Sequence, residues 1–340
     1  AGRLDKAVEE INQFNWEREK KYYLRMIEGV YAVDDPTLDM IVLEDRANVA
    51  RKNHKETCGT ALNTCVFYTD LDRLRMVREK EIENKMQDAL KNHEFEVYLQ
   101  PKIELKGETV AGAEALVRWN DPEYGLISPA EFIPVFEKNG FIVNLDLYMF
   151  EQVCKLLRSW IEKGYEPVPV SVNFSHVHLK NPDFLKEFRA IFQTYKLPPK
   201  LLEIELTETL VFENLDLLLK VIDQFHEIGF DCSLDDFGSG YSSLNILKDV
   251  PVDTLKLDRG FFSGAQQKND RGGFVVESII ELARKLKMQT VSEGVESMEQ
   301  VEFLKKANCD MVQGYVYARP VPAADFEKMV FCNPPVKKRR

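Results

Sequence analysis

The chain has 340 residues and carries 45 Lys and Arg against 56 Asp and Glu, a net charge of −11. That balance repels a long phosphate backbone, so long nucleic acid is excluded as a partner, although a small anion can bind where metal ions supply positive charge. Hydrophobic residues make up 44%, enough for a core; no run of about 18 apolar residues marks a membrane segment, and the six scattered Cys, without a CxxC pair, fit free thiols in a reducing cytoplasm.

The chain begins at Ala1 rather than Met and shows no signal peptide, as expected of a piece of a longer protein. Leu4, Ala7, Val8, Ile11 and Phe14 recur at helical spacing over 3–20. Tyr22 to Val33 reads as extended, and Asp34-Asp35-Pro36 as the start of a helix running to about Asn53. Thr64–Thr69 reads as a strand. Residues 1–70 thus form a small α+β unit with too few strands to be complete. From Leu71 to about His93 the pattern is helical and charged on most of its surface, the mark of a connecting helix.

After residue 93, short apolar runs alternate with amphipathic helices. Strands are predicted at Glu96–Gln100, stopped by Pro101, and at Val110–Leu116, Val168–Asn173, Leu201–Leu206, Phe230–Leu234, Thr254–Leu257, Met288–Glu293 and Asp310–Gln313. Helices are predicted near Pro129–Lys138, Asn144–Lys163, after Pro182, and at Leu215–Ile228, 273–287 and 298–306. About eight βα units over about 240 residues match a (β/α)8 TIM-type barrel over 94–333, with a doubly wound open sheet as the alternative. Residues 334–340 are a basic tail.

The fifth strand runs into Asp235-Asp236 and a loop broken by Gly238 and Gly240. Neighbouring strand side chains point to opposite faces, so the two carboxylates diverge unless the chain turns there, which glycines permit. Paired carboxylates repel, and a divalent cation relieves the repulsion. A helix N-cap plus a turn residue is the bland alternative.

The barrel rule places active-site residues at the C-terminal strand ends. Those ends read Gln100, Glu114, Asn173, Glu205, Asp235 with Asp236, Lys256, Glu293 and Gln313. Each alone has an ordinary structural reading; together they are polar in register around one mouth. Five carboxylates there repel strongly without neutralising ions. Oxygen donors with an amide suit Mg²⁺ or Mn²⁺, and two such ions form a clamp for in-line attack on a phosphodiester. Lys256 is placed to hold the water or the phosphate.

The same residues carry a family resemblance. Glu114-Ala115-Leu116-Val117-Arg118-Trp119 resembles the EAL motif of cyclic di-GMP phosphodiesterases. The likeness runs from about Glu96 to Pro320 and takes in Leu99-Gln100-Pro101, Ser171–Ser175, Glu205-Leu206-Thr207-Glu208, Asp235–Gly238, Lys256-Leu257-Asp258, Glu293–Glu296 and Gln313-Gly314-Tyr315. It implies a barrel with one strand reversed, two Mg²⁺ or Mn²⁺ ions, and hydrolysis of cyclic di-GMP to linear pGpG in bacterial second-messenger signalling. Glu114, Asn173, Glu205 and Asp235 are implied to ligate one ion. Asp235, as the bridge, Asp236 and Glu293 are implied to ligate the other. Lys256 is implied to assist the water and Gln313 to join the water or ligand network. Arg118 is implied to contact a substrate phosphate, with Gln100, Asp258 and Pro320 as further substrate contacts. Glu208 is implied to brace the loop after Asp236, and Glu296 is a further acidic position near the metals. Leu99 and Phe174 are minor departures; no motif position is substituted.

Residues 1–70 resemble the end of a GGDEF (diguanylate cyclase) domain, through Gly29–Pro36, Asp45–Asn48 and Ala50–Lys52, without the GGDEF signature itself. Cyclase activity is not expected of them. Other members of the family imply a homodimer through the barrel. A cyclic di-GMP-binding receptor without turnover remains an alternative, as does a Lys256-based enolising barrel with Mg²⁺. His176-Val177-His178 is read as a loop or helix start rather than a metal pair, His54 with Cys58 and Cys65 as structural, and Arg271-Gly272-Gly273 as too short for a phosphate loop.

Overall fold

The computed structural model describes residues 2–13, 26–52, 63–208, 215–238, 244–262 and 271–332. The basic tail, His54, Cys58, residues 14–25 and the loop glycine Gly240 lie outside them. The chain divides into two compact units, 1–86 and 87–340, with the boundary inside the helix Asp70–Lys91.

In the first unit, strand β1 (Met26–Val30) pairs in parallel with β2 (Asn63–Phe67), and the helix Met40–Lys52 lies between them in sequence. The helix starts later than Asp34-Asp35-Pro36 suggests. The Asp35 carboxylate instead accepts from the Thr37 N–H and hydroxyl, a local turn that competes with helix.

The second unit is a closed barrel. Its strands are β3 (Phe95–Glu104), β4 (Thr109–Asp121), β6 (Val170–Phe174), β7 (Leu202–Thr207), β8 (Asp231–Phe237), β9 (Thr254–Leu257), β10 (Gln289–Ser292) and β11 (Met311–Val312). From β4 through β6 to β11 neighbours are parallel, and β3 closes the ring antiparallel to both β4 and β11. One strand is therefore reversed. Short β5 (Gly125–Ile127) extends β4 as a hairpin, and β12 (Val321–Pro322) adds to β3; the sequence reading anticipated neither.

Pro101 does not stop β3, which continues to Glu104. On its β4 side Pro101 pairs with Ala113. On the other side pairing ends at Leu99–Val321 and resumes at Ile103–Val312. Pro101 sits in that unladdered interval, where a residue lacking an N–H is tolerated.

The strands alternate because the barrel interior is polar. Val170, Val172, Leu202, Ile204, Leu206, Cys232, Leu234, Leu255 and Leu257 face outward into a core shared with the helices, including Phe150, Trp160, Phe188 and Phe225. Fully burying such a side chain contributes roughly 1.5–3 kcal/mol. The opposite phase carries Ser171, Glu205, Ser233, Thr254, Lys256, Thr290 and Ser292, all buried. The branched aliphatic filling usual in such barrels is replaced by a polar interior.

Candidate active site

Lys256 in β9 organises the interior. Its Nζ lies 2.8 Å from Glu205 Oε2, 2.9 Å from Asp235 Oδ1, 2.7 Å from Glu293 and 3.6 Å from Glu114 Oε2. These carboxylates come from β7, β8, the residue after β10, and β4. Asn173 Nδ2 donates to Glu114 Oε1 at 3.4 Å, and Gln313 Nε2 donates to Glu114 Oε2 and to Gln100 Oε1. Gln100 Nε2 donates in turn to the Ala318 carbonyl. Gln100, Glu114, Asn173, Glu205, Asp235, Lys256, Glu293 and Gln313 are thus one connected group.

Asp235 and Asp236 reach the same place by a bulge. The β8–β9 register shifts between Leu234 and Phe237, and Asp236 itself takes the left-handed conformation, φ +56°. The turn comes from Asp236 rather than from a glycine as the sequence reading had it. Asp and Asn tolerate this region better than other side chains. Carboxylate oxygens of Asp235, Asp236 and Glu293 then lie within 4.8 Å of one another. Beyond them Gly238, φ +97°, donates its N–H to Glu208 Oε2 at 3.1 Å. A Cβ at Gly238 meets the Phe261 ring at 1.9 Å, so only glycine fits.

The loops after β10 and β11 are pressed together at Gly314, where a Cβ meets Val295 O at 2.1 Å. Val295 donates to Gln313 O and Val316 to Val295 O, which keeps Glu293 and Gln313 side by side. Ser297 and Gln300 form a capping box at the next helix, and Gln300 Oε1 also accepts from the Glu296 N–H.

Crowding sets the charges. Burial first, then Glu205 and Asp235, push Glu114 up to about 6 against the pull of Lys256. Burial, opposed by Lys256, pushes Glu293 up to about 8. Burial and the Asp235 charge also raise Asp236. Burial alone raises Glu205 as well, but Lys256 and Lys102 prevail and hold it down to about 2. Lys256 rises well above the usual lysine range, because four carboxylates outweigh its desolvation. Five crowded carboxylates, with an amide oxygen at hand, are a donor set for hard divalent cations.

The remaining predicted residues stand around this group. Arg118 shares the inward phase of β4 with Glu114. It is half-buried, donates to the Val117 carbonyl at 2.7 Å, and lies 5.6 Å from the centre of the Tyr98 ring. Asp258 caps Gly260 through a 2.7 Å bond, and Pro320 directly precedes β12. Glu296 is exposed, and among the described residues the close carboxylate group is Asp235, Asp236 and Glu293 without it. His178 is buried on Asp146 at 3.0 Å and stacked on Phe174; it tethers the turn after Asn173, where a short 3-10 helix begins at His176.

Lys102 and Glu203 escaped the sequence reading. Lys102 Nζ lies 3.1 Å from Glu205 Oε1 and 3.2 Å from Glu203 Oε2. Both sit two residues from a predicted site position, Gln100 and Glu205, and so share its inward face. For Glu203, inside the predicted strand Leu201–Leu206, a charged residue in the inward phase was the available signal; Lys102 lay beyond the predicted end of its strand.

The EAL domain family model matches residues 83–320. Cyclic di-GMP phosphodiesterase NbdA of Pseudomonas aeruginosa is 34% identical over 278 residues, 82% of this chain and 35% of NbdA. Cyclic di-GMP phosphodiesterase PdeR of Escherichia coli is 36% identical over 264 residues, 78% of this chain and 39% of PdeR. The chain spans between about a third and two fifths of the length of these relatives. In structure, the PaMucR phosphodiesterase in complex with c-di-GMP is 33% identical with a TM-score of 0.68, covering 72% of this chain and 99% of that one.

Proposed function

The chain belongs to the EAL domain family, and from that premise we propose that it hydrolyses one phosphodiester bond of cyclic di-GMP to give linear 5′-pGpG with two Mg²⁺ or Mn²⁺ ions. The observation that carries this reading is the convergence of Glu114, Asn173, Glu205, Asp235, Asp236 and Glu293 around Lys256.

In this reading Glu114, Asn173, Glu205 and Asp235 would hold one ion. Asp235, Asp236 and Glu293 would hold the other, with Asp235 contributing to both. Bound there, such ions polarise the phosphoryl oxygens and acidify a water. Lys256 keeps its proton and presents N–H donors to the attacking oxygen or to the phosphate. Glu293, whose carboxyl burial raises to about 8 without metal, would give up its proton on ligating the ion. Gln313 orients Glu114 and ties it to Gln100. Arg118 takes a substrate phosphate, with Gln100, Asp258 and Pro320 as further substrate contacts. Glu208 holds the Gly238 end of the loop after Asp236. Water adds across one P–O3′ bond, leaving a 5′-phosphate on one guanosine and a free 3′-hydroxyl on the other.

Incubation with cyclic di-GMP and Mg²⁺ or Mn²⁺, read by anion-exchange chromatography, is expected to yield pGpG. Tight calorimetric binding without pGpG at any protein concentration identifies a receptor instead. Residues 1–70 we read as the end of a GGDEF-like domain, a reading supported by the parallel β1–helix–β2 unit. A cytoplasmic location is supported by the free thiols among the described residues. Among those residues no helix is long and apolar enough to cross a membrane. A homodimer through the barrel is tested by light scattering.

A further inference from the structure

Lys102 is fully buried, 2% exposed, yet no metal-ligand or substrate role falls to it. It projects from β3, the one reversed strand, so it enters the barrel from below the acidic group. Its ammonium lies between two carboxylates of β7, Glu205 Oε1 at 3.1 Å and Glu203 Oε2 at 3.2 Å. Glu205 is therefore held at both oxygens, by Lys102 on Oε1 and by Lys256 on Oε2. Lys256 reaches three other carboxylates. Lys102, tied to Glu203 on the barrel floor, is the cation that reaches Glu205 without also contacting Glu114, Asp235 or Glu293 among the described ion pairs. Its cross-strand partner is Gly112 in β4.

We propose that Lys102 is a positioning residue: it fixes the orientation of Glu205 from beneath, so that Oε2, the oxygen Lys256 also reaches, is turned toward the acidic group where a divalent cation would bind. The inference rests on Glu205 being a metal ligand, as proposed above. The competing reading is charge balance. Glu203 Oε2 is held by Lys102, and Glu203 Oε1 is buried with no hydrogen-bond partner among the described residues, so Lys102 could serve Glu203 alone. The two readings separate in a double variant. Lys102→Met keeps the stem and removes the charge; Lys102→Met with Glu203→Gln also removes the carboxylate left behind.

Mn²⁺ binding by electron paramagnetic resonance, the melting temperature in EDTA, and pGpG formation are measured for wild type, K102M and K102M/E203Q. The expected result is Mn²⁺ affinity about tenfold or more weaker in K102M, and equally weak in the double variant although its melting temperature recovers. Recovery of Mn²⁺ affinity together with stability in the double variant overturns the proposal, as does unchanged affinity in K102M. Should K102M not fold, the double variant alone decides: weak Mn²⁺ binding by the folded protein supports positioning, wild-type binding overturns it. Wild-type protein that takes up no Mn²⁺ fails the metal reading itself, a different outcome from wild-type uptake with unchanged variants.

Discussion

The backbone N–H of Asp236 donates to Asp235 Oδ1 at 2.9 Å, and that oxygen also lies 2.9 Å from Lys256 Nζ. The left-handed turn at Asp236 makes this bond while swinging its own carboxylate beside Asp235 and Glu293. Local strain and like-charge repulsion are concentrated at the place the proposed ions occupy, as strained backbone tends to be. Asp236→Asn keeps a side chain that tolerates the left-handed region and removes one charge. The metal-free variant is expected to melt at or above the wild-type temperature. Its Mn²⁺ affinity should fall by at least the ~10–100-fold typical of losing a ligand's supporting partner. Calorimetric titration with Mn²⁺ and melts in EDTA check both halves.

Gly238→Ala tests the other end of the turn. The new Cβ collides with the Phe261 ring, and φ +97° disfavours any side chain. A loss of at least about 1–3 kcal/mol is expected from the backbone conformation alone. Urea unfolding measures it. Gly140→Ala is the control, with a left-handed φ of +82° but open space around it, and should cost less.

Much of this site was legible before any coordinates, and the reason is the polar barrel interior. Because inward positions are polar and outward ones apolar, the alternation in β7 and β9 marks Glu205 and Lys256 as lumen residues. The bounds of β9 and of the helices Leu215–Ile228 and Met298–Lys306 coincide with the periodicity. What stayed hidden depends on non-local pairing. Nothing near Pro101 announces a gap in the ladder between β12 and β11, so β3 looked shorter than it is. With β3 cut at Gln100, Lys102 had no face to be assigned to. The left-handed turn at Asp236 was masked by Gly238 and Gly240, which offered a simpler place to bend.

Proton linkage gives a third expectation. Glu293 and Glu114 stand at about 8 and about 6 in the metal-free fold, against a reference of 4.5. A carboxyl raised on folding contributes stability below its unfolded value and loses it as pH rises through the folded one. Without metal, stability is therefore expected to decline from about pH 5 to pH 9, and Glu293→Gln should flatten the upper part of that slope. Glu205, held at about 2, acts oppositely, with stability lost only as pH falls below about 4. Divalent cations must displace the protons on Glu293 and Glu114, so Mn²⁺ affinity should rise from pH 6 to pH 8 with proton release. Calorimetry in buffers of different ionisation enthalpy counts those protons.

Lys256→Met leaves Glu114, Glu205, Asp235 and Glu293 without their shared cation. Breaking a buried pair on one side costs about 3–5 kcal/mol, so the metal-free variant is expected to melt well below wild type. Divalent cations should restore much of that loss, because they supply the missing positive charge in the same place. Hydrolysis should not return with stability, since the N–H donors are gone. Melts with and without Mn²⁺, beside pGpG formation on the metal-loaded variant, separate neutralisation from catalysis. Full activity in stable, loaded K256M protein would remove Lys256 from the proposed chemistry.

Arg118 lies four residues beyond Glu114 on the same face of β4, half-buried and with no carboxylate partner among the described residues. Burial holds its pKa below the usual arginine range, while Tyr315, Tyr98 and Glu114 act to raise it. A guanidinium partly desolvated by burial gains from a phosphate placed against it. Arg118→Ala is expected to weaken binding of cyclic di-GMP about tenfold or more, the scale of a hydrogen bond to a charged group. Mn²⁺ affinity should be unchanged, because Arg118 ligates nothing. Arg118→Lys should recover only part of the loss, since an ammonium lacks the fork that meets two phosphate oxygens at once. Calorimetry with cyclic di-GMP and Ca²⁺, a cation expected to support binding without turnover, compares the three proteins; equal affinities would move the phosphate contact to another residue.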